Sequence, residues 1–423
     1  MNKLLGALCG LLAVTSIARA EEAAPAWSVT AASEARFFSW ESNRGVPAGV
    51  APTNGRASGA ELYIPYAVQL VGQPINDFKV EILGRAGLVW ARQSTAGLTG
   101  SVSTTTDTVA SGTVTYFGID GVQPFVSLSL NLPTGESALF GTAANARMDP
   151  DLVDIASFGE GWNVGPTIGF NLPITKALMV TTSAGYNWRG EYLRDSSLSA
   201  TIFTPPTVQA PTTVNPGDVT TLYGAVGYQN DAYSGKISGT ISWETPTMQD
   251  EVPLYQAGTR YLIAGTFAYT WGASGVTTLD VSAAHSDKNK VIFLGMPELL
   301  REPLNTNSNL YRGGIQHLVA FDRFAVGPTA SFLHRDRNGY DSTTLQFVPA
   351  KDRWAAGAIA RYAATDTVTL NARIEGVWTH ENARPAPGDM LFSVLANGFV
   401  AASSVPVVSS RGLQIAVGAN IKF

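Results

Sequence analysis

The chain has 423 residues, of which 14% are charged, and its formal net charge is −5 at neutral pH. Because these charges form no run of one sign, the composition argues against a nucleic-acid partner. The single cysteine, Cys9, falls in an N-terminal leader, which excludes disulfides, thiol catalysis and cysteine metal sites from the rest of the chain. We expect no cofactor and no metal site. The length suits two soluble domains or one barrel.

Residues 1–20 have the pattern of a secretory signal peptide. Lys3 supplies the positive end, residues 4–17 form an apolar run, and Ala18-Arg19-Ala20 is a small-residue cleavage site. A lipid anchor on Cys9 is disfavoured, because this cysteine follows Leu8 too close to the start. We expect residues 21–423 to form a single domain, and no apolar run in it approaches the roughly 18 residues that a membrane-spanning helix needs.

From Trp27 onward, short segments alternate between apolar and polar side chains, which is the period of a β-strand. The stretch YSGKISGTISWE places Ile237, Ile241 and Trp243 on one face, opposite Lys236, Ser238 and Thr240. About sixteen such segments follow one another, and the connections between them are alternately short and long. The long ones are near residues 43–58, 94–101, 135–161, 191–217, 245–258, 287–307, 336–350 and 381–409.

Short turns at one end and long loops at the other are typical of bacterial outer-membrane barrels. The sequence therefore predicts an all-β, transmembrane antiparallel β-barrel of about 16 strands, with 14 or 18 as alternatives. Its turns would be periplasmic and its loops outside, in the outer membrane of a Gram-negative bacterium. The expected partners are outer-membrane lipid, the barrel-assembly machinery and small-molecule solutes, and one pore per chain and a trimer both stay open.

Two residue types bear on the register of the predicted strands. Pro65, Pro166 and Pro328 fall inside strands, where each removes a ladder hydrogen bond and indicates either a bulge or a wrong register. Tryptophans lie near strand ends on the apolar face, as in the aromatic girdles of membrane barrels, although aromatic residues also favour strands in general. These tryptophans are Trp90, Trp188, Trp243, Trp271 and Trp378.

The polar faces of the strands would point into the barrel. A lumen of about sixteen strands is too wide for side chains to fill, so it holds water that solvates charges of both signs. A slight basic excess indicates anion preference, and the alternative is a set of mutually paired wall charges without selectivity. The pore-lining candidates are Arg36, Lys79, Glu81, Arg85, Lys236, Arg353, Arg361, Arg373 and Glu375.

A constriction would come from a long loop that folds inward. Residues 135–161 and the Pro- and Thr-rich residues 201–218 are the two candidates, and we favour the first, because the second reads as an extended spacer. The first loop holds Asp149, Asp151 and Asp154 close together, where they would pair with lumenal arginines such as Arg353, Arg361 or Arg373. The alternative is an outward loop that faces the medium.

The chain ends in a strand pattern from Leu413 to Phe423. A soluble domain usually ends in a frayed, polar terminus, whereas this one stops on an aromatic residue. The stretch resembles the last strand of outer-membrane barrels, in which a terminal aromatic is read by the insertion machinery. This resemblance implies that Phe423 is an assembly signal.

Residues 125–192 contain LNLPTGES, DPDLVDI, GPTIGFNLPI and TTSAGYNWRGEY. This stretch resembles barrels of the phenol meta-cleavage-pathway transporter family, in which a strand ends in a Leu-Pro-Thr-Gly-acid motif, an acidic loop follows and a later strand carries Gly-Tyr. The resemblance implies uptake of small hydrophobic or aromatic compounds. The chain departs from the family in its greater length and apparent strand number.

The main functional hypothesis is a channel for passive uptake or diffusion of small solutes. An outer-membrane protease or lipase is an alternative, because His285, His334 and His380 each lie near an acid at the long-loop end of a strand, where a histidine can act as a general base. The sequence has no nucleophile-elbow serine motif and no metal-ligand spacing. A structural or adhesin barrel is the third hypothesis.

Overall fold

The computed structural model describes residues 27–44, 56–95, 98–195, 198–201, 204–208, 212–292, 298–344, 346–386, 390–393, 398–401 and 404–423. The predicted signal peptide lies outside them. Sixteen strands form the main sheet: Trp27–Ser42 (β1), Ala57–Ile75 (β2), Phe78–Thr95 (β3), Leu98–Thr105 with Thr108–Tyr116 (β4), Gln123–Leu132 (β5), Asn163–Pro173 (β6), Leu178–Arg189 (β7), Val219–Gln229 (β8), Tyr233–Glu244 (β9), Arg260–Thr270 (β10), Gly275–Ser286 (β11), Leu310–Phe321 (β12), Phe324–Arg335 (β13), Lys351–Ala363 (β14), Val368–Glu381 (β15) and Val408–Lys422 (β16).

The sheet closes on itself. Every strand pairs antiparallel with its neighbours in sequence, and β1 pairs with both β2 and β16, so that Phe37 lies between Leu62 and Ile415. Closure removes the free edges that an open sheet would expose. The predicted antiparallel barrel of sixteen strands is therefore confirmed.

The connections differ in length at the two ends of the barrel. Seven short turns join β2–β3, β4–β5, β6–β7, β8–β9, β10–β11, β12–β13 and β14–β15 at one end. Seven of the eight connections at the other end are long, with loops at residues 43–56, 133–162, 190–218, 245–259, 287–309, 336–350 and 382–407. The prediction of a long loop near residues 94–101 is wrong, because Thr95 pairs with Leu98 and a tight hairpin joins β3 to β4.

The long loops carry short elements of their own. A 3-10 turn lies at Gly141–Ala146, and a second, Gly272–Ser274, lies in the β10–β11 turn. Four short strands form a separate sheet next to the long-loop rim: Thr247–Gln249, Val252–Gln256, Lys290–Ile292 and Leu299–Arg301. Three further pairs of short strands join Tyr192–Arg194 with Thr212–Val214, Leu198–Thr201 with Thr204–Val208, and Met390–Ser393 with Gly398–Ala401. Within the described part of the chain, no helix is both long and apolar enough to cross a membrane.

The two faces of the barrel follow the alternation of the sequence. The outward face is a belt of exposed apolar side chains, such as Ile237, Ile263 and Ile315, which leave 54%, 62% and 50% of their surfaces exposed. A soluble protein rarely exposes so continuous an apolar surface, whereas a membrane barrel requires one. The predicted girdle tryptophans are all exposed on this belt: Trp90, Trp188, Trp243, Trp271 and Trp378.

The three strand prolines cause neither a bulge nor a change of register. Each lies beside a short gap in one of its two ladders, and the pairing resumes on the far side without a shift. Pro65 still pairs with Gly87, and Pro328 pairs with Ala358. The missing amide hydrogen therefore removes a local hydrogen bond while the strand continues.

Strand β4 contains the irregularity that matters for the lumen. Arg85 and Leu88 of β3 are three residues apart, but their partners Val109 and Thr105 are four apart, so β4 carries one extra residue. Such a bulge bends the strand and redirects its side chains. The bulge lies at Thr106 and Asp107, next to the base of the loop at residues 133–162.

Candidate functional site

The loop between β5 and β6, residues 133–162, folds into the barrel. Its side chains Leu139, Ala146, Met148 and Phe158 are buried although they belong to a long connection. They form one apolar cluster with inward-facing residues of the wall, contributed by Phe38, Trp40, Ala57, Tyr63, Val89, Ala91, Val102, Ala355 and Val377. The indole Nε1 of Trp40 also donates to the sulfur of Met148, at 3.3 Å. Burial of this apolar surface holds the loop against the wall.

Asp107, at the bulge of β4, holds the base of this loop. Its carboxylate accepts hydrogen bonds from the backbone amides of Gly135 and Glu160 at 3.0 and 2.7 Å, and from the side chain of Asn131 at 2.7 Å. Its own amide donates to the carbonyl of Phe158. One carboxylate thus joins the two ends of the loop, and hydrogen bonds to an ionised acceptor are among the stronger ones in proteins.

The three loop aspartates lie against basic side chains of the wall. Asp149 pairs with Lys351 of β14, and Asp151 pairs with Arg335 of β13 at 2.7 Å. Both Asp151 and Lys351 are almost fully buried, and their charged atoms are 3.7 Å apart. Removing one partner of a buried ion pair costs about 3 to 5 kcal/mol, so these contacts strongly favour the inward position.

The third aspartate completes the line of contacts. Asp154 accepts a hydrogen bond from Gln414 of β16 at 3.0 Å and lies 3.8 Å from Arg36 of β1. The backbone amides of Asp154 and Ile155 point at Glu61 of β2, at 3.2 and 3.4 Å from its carboxyl oxygen. The middle of the loop therefore reaches from β13 through β16 to β2.

The arginine partners named from the sequence need correction. Asp149 and Asp154 contact Lys351 and Arg36, and Asp151 contacts Arg335. Arg373, one of the partners expected for the loop, instead lies between Glu34 and Glu375 of the wall, at 3.8 and 3.6 Å. The loop docks closer to the long-loop end of the barrel than expected, because Arg335 and Lys351 lie at that end of their strands.

All of the pore-lining candidates lie on the inward face of their strands, opposite exposed apolar neighbours. Several are engaged by other wall residues: Lys79 pairs with Glu81 at 2.8 Å, and the ammonium of Lys236 lies 5.6 Å from the ring centre of Tyr223. Among the described residues, Arg85, Arg353 and Arg361 have no acidic group within ion-pair distance.

The loop leaves part of the lumen uncovered. Its apolar cluster and ion pairs fall on β1 to β4 and on β13 to β16, which form one half of the wall. The inner faces of β8 to β12 on the other side carry polar and charged residues, including Arg260, Asp280 and Arg312. We expect a water-filled passage along this polar wall.

Asp149 makes the docking of the loop sensitive to acid. Burial raises the pKa of Asp149, but the charge and hydrogen bond of Lys351 outweigh burial and lower the pKa below the ordinary value of 3.8. A carboxyl group whose pKa is depressed by docking stabilises the docked state above the ordinary value. This contribution is lost as the pH falls through the lowered pKa.

We therefore expect single-channel conductance to rise reversibly when the pH is lowered from neutral to well below 3.8, because protonation of Asp149 removes its ion pair with Lys351 and weakens the docking of the loop. In an Asp149→Asn variant the ion pair is absent at every pH, so its conductance should be higher at neutral pH and should change less on acidification. An equal acid response in both proteins would show that Asp149 does not control the loop.

The histidines of the enzyme hypothesis lie at the rim. Both ring nitrogens of His334 are occupied, one by Asp352 at 2.6 Å and the other by Asp336 at 2.9 Å. His285 is hydrogen-bonded to Asn309, and its other nitrogen lies 3.7 Å from Asp287. His334 and His285 stack on the exposed rings of Tyr311 and Tyr261, which places them on the outward face, away from the lumen.

Several wall residues that hold the loop were not predicted from the sequence. Lys351 and Arg335 are in phase with inward residues of their own strands, so the alternation contained a signal for them. Asp107 had no such signal, because a bulge changes the phase at its position. Glu61 is also in phase with the inward residues of its strand, but its contact with a loop backbone has no sequence pattern.

Comparisons with known proteins find similarity of fold only. No family model and no curated protein sequence matches the chain. Similar solved structures include an outer-membrane channel from Pseudomonas putida F1 (12% identity, 64% of this chain and 92% of that one, TM-score 0.38). A mutant of the monoaromatic hydrocarbon channel TodX is also similar (10% identity, 95% of this chain and 91% of that one, TM-score 0.41). A third similar structure is Pseudomonas aeruginosa OccK2 in complex with glucuronate (9% identity, 93% of this chain and 98% of that one, TM-score 0.42). Because these TM-scores are below 0.5, we infer function from the pore itself.

Proposed function

We propose that this protein is an outer-membrane channel through which small solutes diffuse passively. The observation that carries the proposal is the combination of a closed sixteen-stranded barrel, an exposed apolar belt and a lumen narrowed by an inward loop. The belt fits a lipid bilayer, and the charged inner wall fits water. In this orientation the short turns face the periplasm and the long loops face outside.

The experiment is a planar-bilayer recording with the purified, refolded protein. We expect discrete current steps of constant size that depend linearly on voltage, as a permanently open aqueous pore gives. The absence of steps from a protein that spectroscopy shows to be a folded β-barrel would contradict the proposal. Accumulation of cleaved ester or peptide substrate would instead support the enzyme hypothesis.

The chemical class of the solute is a second, more specific question. The family resemblance of residues 125–192 implies small hydrophobic or aromatic compounds. The charged wall of β8 to β12 instead favours polar solutes. Liposome swelling with matched aromatic and aliphatic solutes of one size distinguishes the two, because an aromatic pathway would admit the aromatic solute faster.

We also propose that Phe423 is an assembly signal. Its amide donates to the carbonyl of Val29 at 2.8 Å and so extends the β1–β16 ladder, while its ring is 74% exposed on the barrel. We expect deletion of Phe423 to lower the amount of protein in the outer membrane much more than the amount synthesised. Normal outer-membrane levels of the deletion variant, measured against a Phe423→Tyr control, would contradict this.

A further inference from the structure

Two arginines lie side by side on the inner wall at the edge of the loop. Arg312 of β12 pairs in register with Leu333 of β13, which in turn pairs with Arg353 of β14. All three side chains point inward in a single row. Because neighbouring strands are 4.7 to 4.9 Å apart, the two arginine backbones are separated by about 10 Å, a span that two guanidinium groups can close around one small ligand.

Neither arginine forms an ion pair with another described residue. The Nε–H groups of Arg312 and Arg353 are buried without a hydrogen-bond acceptor, and neither side chain has an acidic group within 4 Å among the described residues. A guanidinium carries a full positive charge and five N–H donors, so two of them side by side on the inner wall form a strong donor surface for an anion in the lumen.

The acids near this row are held by other side chains. The loop acids Asp149 and Asp151 are matched by Lys351 and Arg335. Asp154 lies 3.8 Å from Arg36, and Arg373 lies between Glu34 and Glu375. Arg260 is also close enough to Arg312 to repel it electrostatically. The acid nearby on this wall, Asp280, is hydrogen-bonded to Thr266 at 2.8 Å.

We propose that Arg312 and Arg353, with Leu333 between them, form a subsite in the pore that binds the carboxylate of small organic monoanions. The planar guanidinium fork matches a carboxylate with two parallel hydrogen bonds. Leu333 is buried between them and separates the two guanidinium groups without adding a charge. A guanidinium plane also stacks on an aromatic ring, which favours an aromatic carboxylate. Acids in electrostatic range, Asp151 for both arginines and Asp154 for Arg353, reduce the positive charge at this row, so a monoanion is favoured over a dianion. The subsite rests on the proposed function, since it requires an open pore.

The test uses the refolded full chain in a bilayer, with benzoate, acetate and inorganic phosphate as probes. In the unmodified protein we expect anions to permeate better than cations, and benzoate to reduce the chloride current more than acetate or phosphate does. The double variant Arg312→Gln/Arg353→Gln should lose the anion preference and show about tenfold weaker block by benzoate. Arg411→Gln, which removes a positive charge from the outward face, is the control and should behave like the unmodified protein.

A second variant separates a binding site from a general positive field. Arg312→Lys/Arg353→Lys keeps both charges but loses the forked geometry, so we expect it to keep the anion preference and lose most of the benzoate block. Full block in this variant would overturn the carboxylate subsite. A channel that conducts but shows neither anion preference nor block would also overturn it and leave the proposed function standing, whereas a folded protein without current would contradict the proposed function itself.

Discussion

Excision of residues 136–158 is expected to raise single-channel conductance severalfold and to weaken any solute preference. The two ends of this segment already meet, since a β-carbon at Gly159 would lie 2.6 Å from the carbonyl oxygen of Gly135. Gly135 can therefore be joined to Gly159 while Asp107 still binds both sides of the junction. The physical reason is that the loop occupies part of the cross-section through which ions pass. The measurement is conductance at fixed salt.

Excision also uncovers apolar wall residues such as Trp40 and Tyr63, so a milder variant is needed beside it. Asp107→Ala keeps the whole loop but removes three hydrogen bonds from its base, and we expect it to give larger and noisier currents than the unmodified protein. If both variants show the original conductance and selectivity, the constriction lies elsewhere in the barrel.

Replacement of Ile237 by Arg is expected to destabilise the barrel by about 2 to 4 kcal/mol, as charges at the bilayer midplane do. Ile237 is 54% exposed on the outward face of β9, between the aromatic residues Tyr233 and Trp243 near the two ends of the strand. The same change at Ile241, two residues from Trp243, should cost less, because an arginine near the interface reaches water. The measurement is reversible unfolding in denaturant with lipid vesicles.

The matched control for this series is Thr240→Arg. Thr240 lies on the same strand but on the inward face, where water solvates the new charge, so its stability should stay close to that of the unmodified protein. Equal losses at Ile237 and Thr240 would show that β9 does not separate lipid from water.

The architecture was predictable because alternation is a local property of the sequence. Each strand shows its two faces in its own residues, as Ile237 and Lys236 do. The girdle tryptophans indicate where the membrane–water interfaces lie. The β3–β4 connection was mispredicted because its polar, Ser- and Thr-rich residues resemble a loop, although they extend both strands into a hairpin.

The contacts within the lumen were less predictable, because they join residues that are far apart in sequence. The acids Asp149, Asp151 and Asp154 were identified by their clustering within one loop. Their partners depend on how far the loop reaches across the barrel, which is set by the apolar cluster and by Asp107 at the bulge. No local sequence pattern indicates how far the loop reaches across the barrel.

The inward position of the loop is tested most directly by modification of a single cysteine at Pro150 during a bilayer recording. Pro150 is exposed and lies between Asp149 and Asp151. With Cys9 replaced by Ser, the chain contains no other thiol. The structure predicts that a charged thiosulfonate reagent reduces the current of a Pro150→Cys channel in one step, while an Asp231→Cys channel, labelled in the turn at residues 230–232, keeps its current. An unchanged current after complete labelling at Pro150 would contradict a loop that narrows the pore.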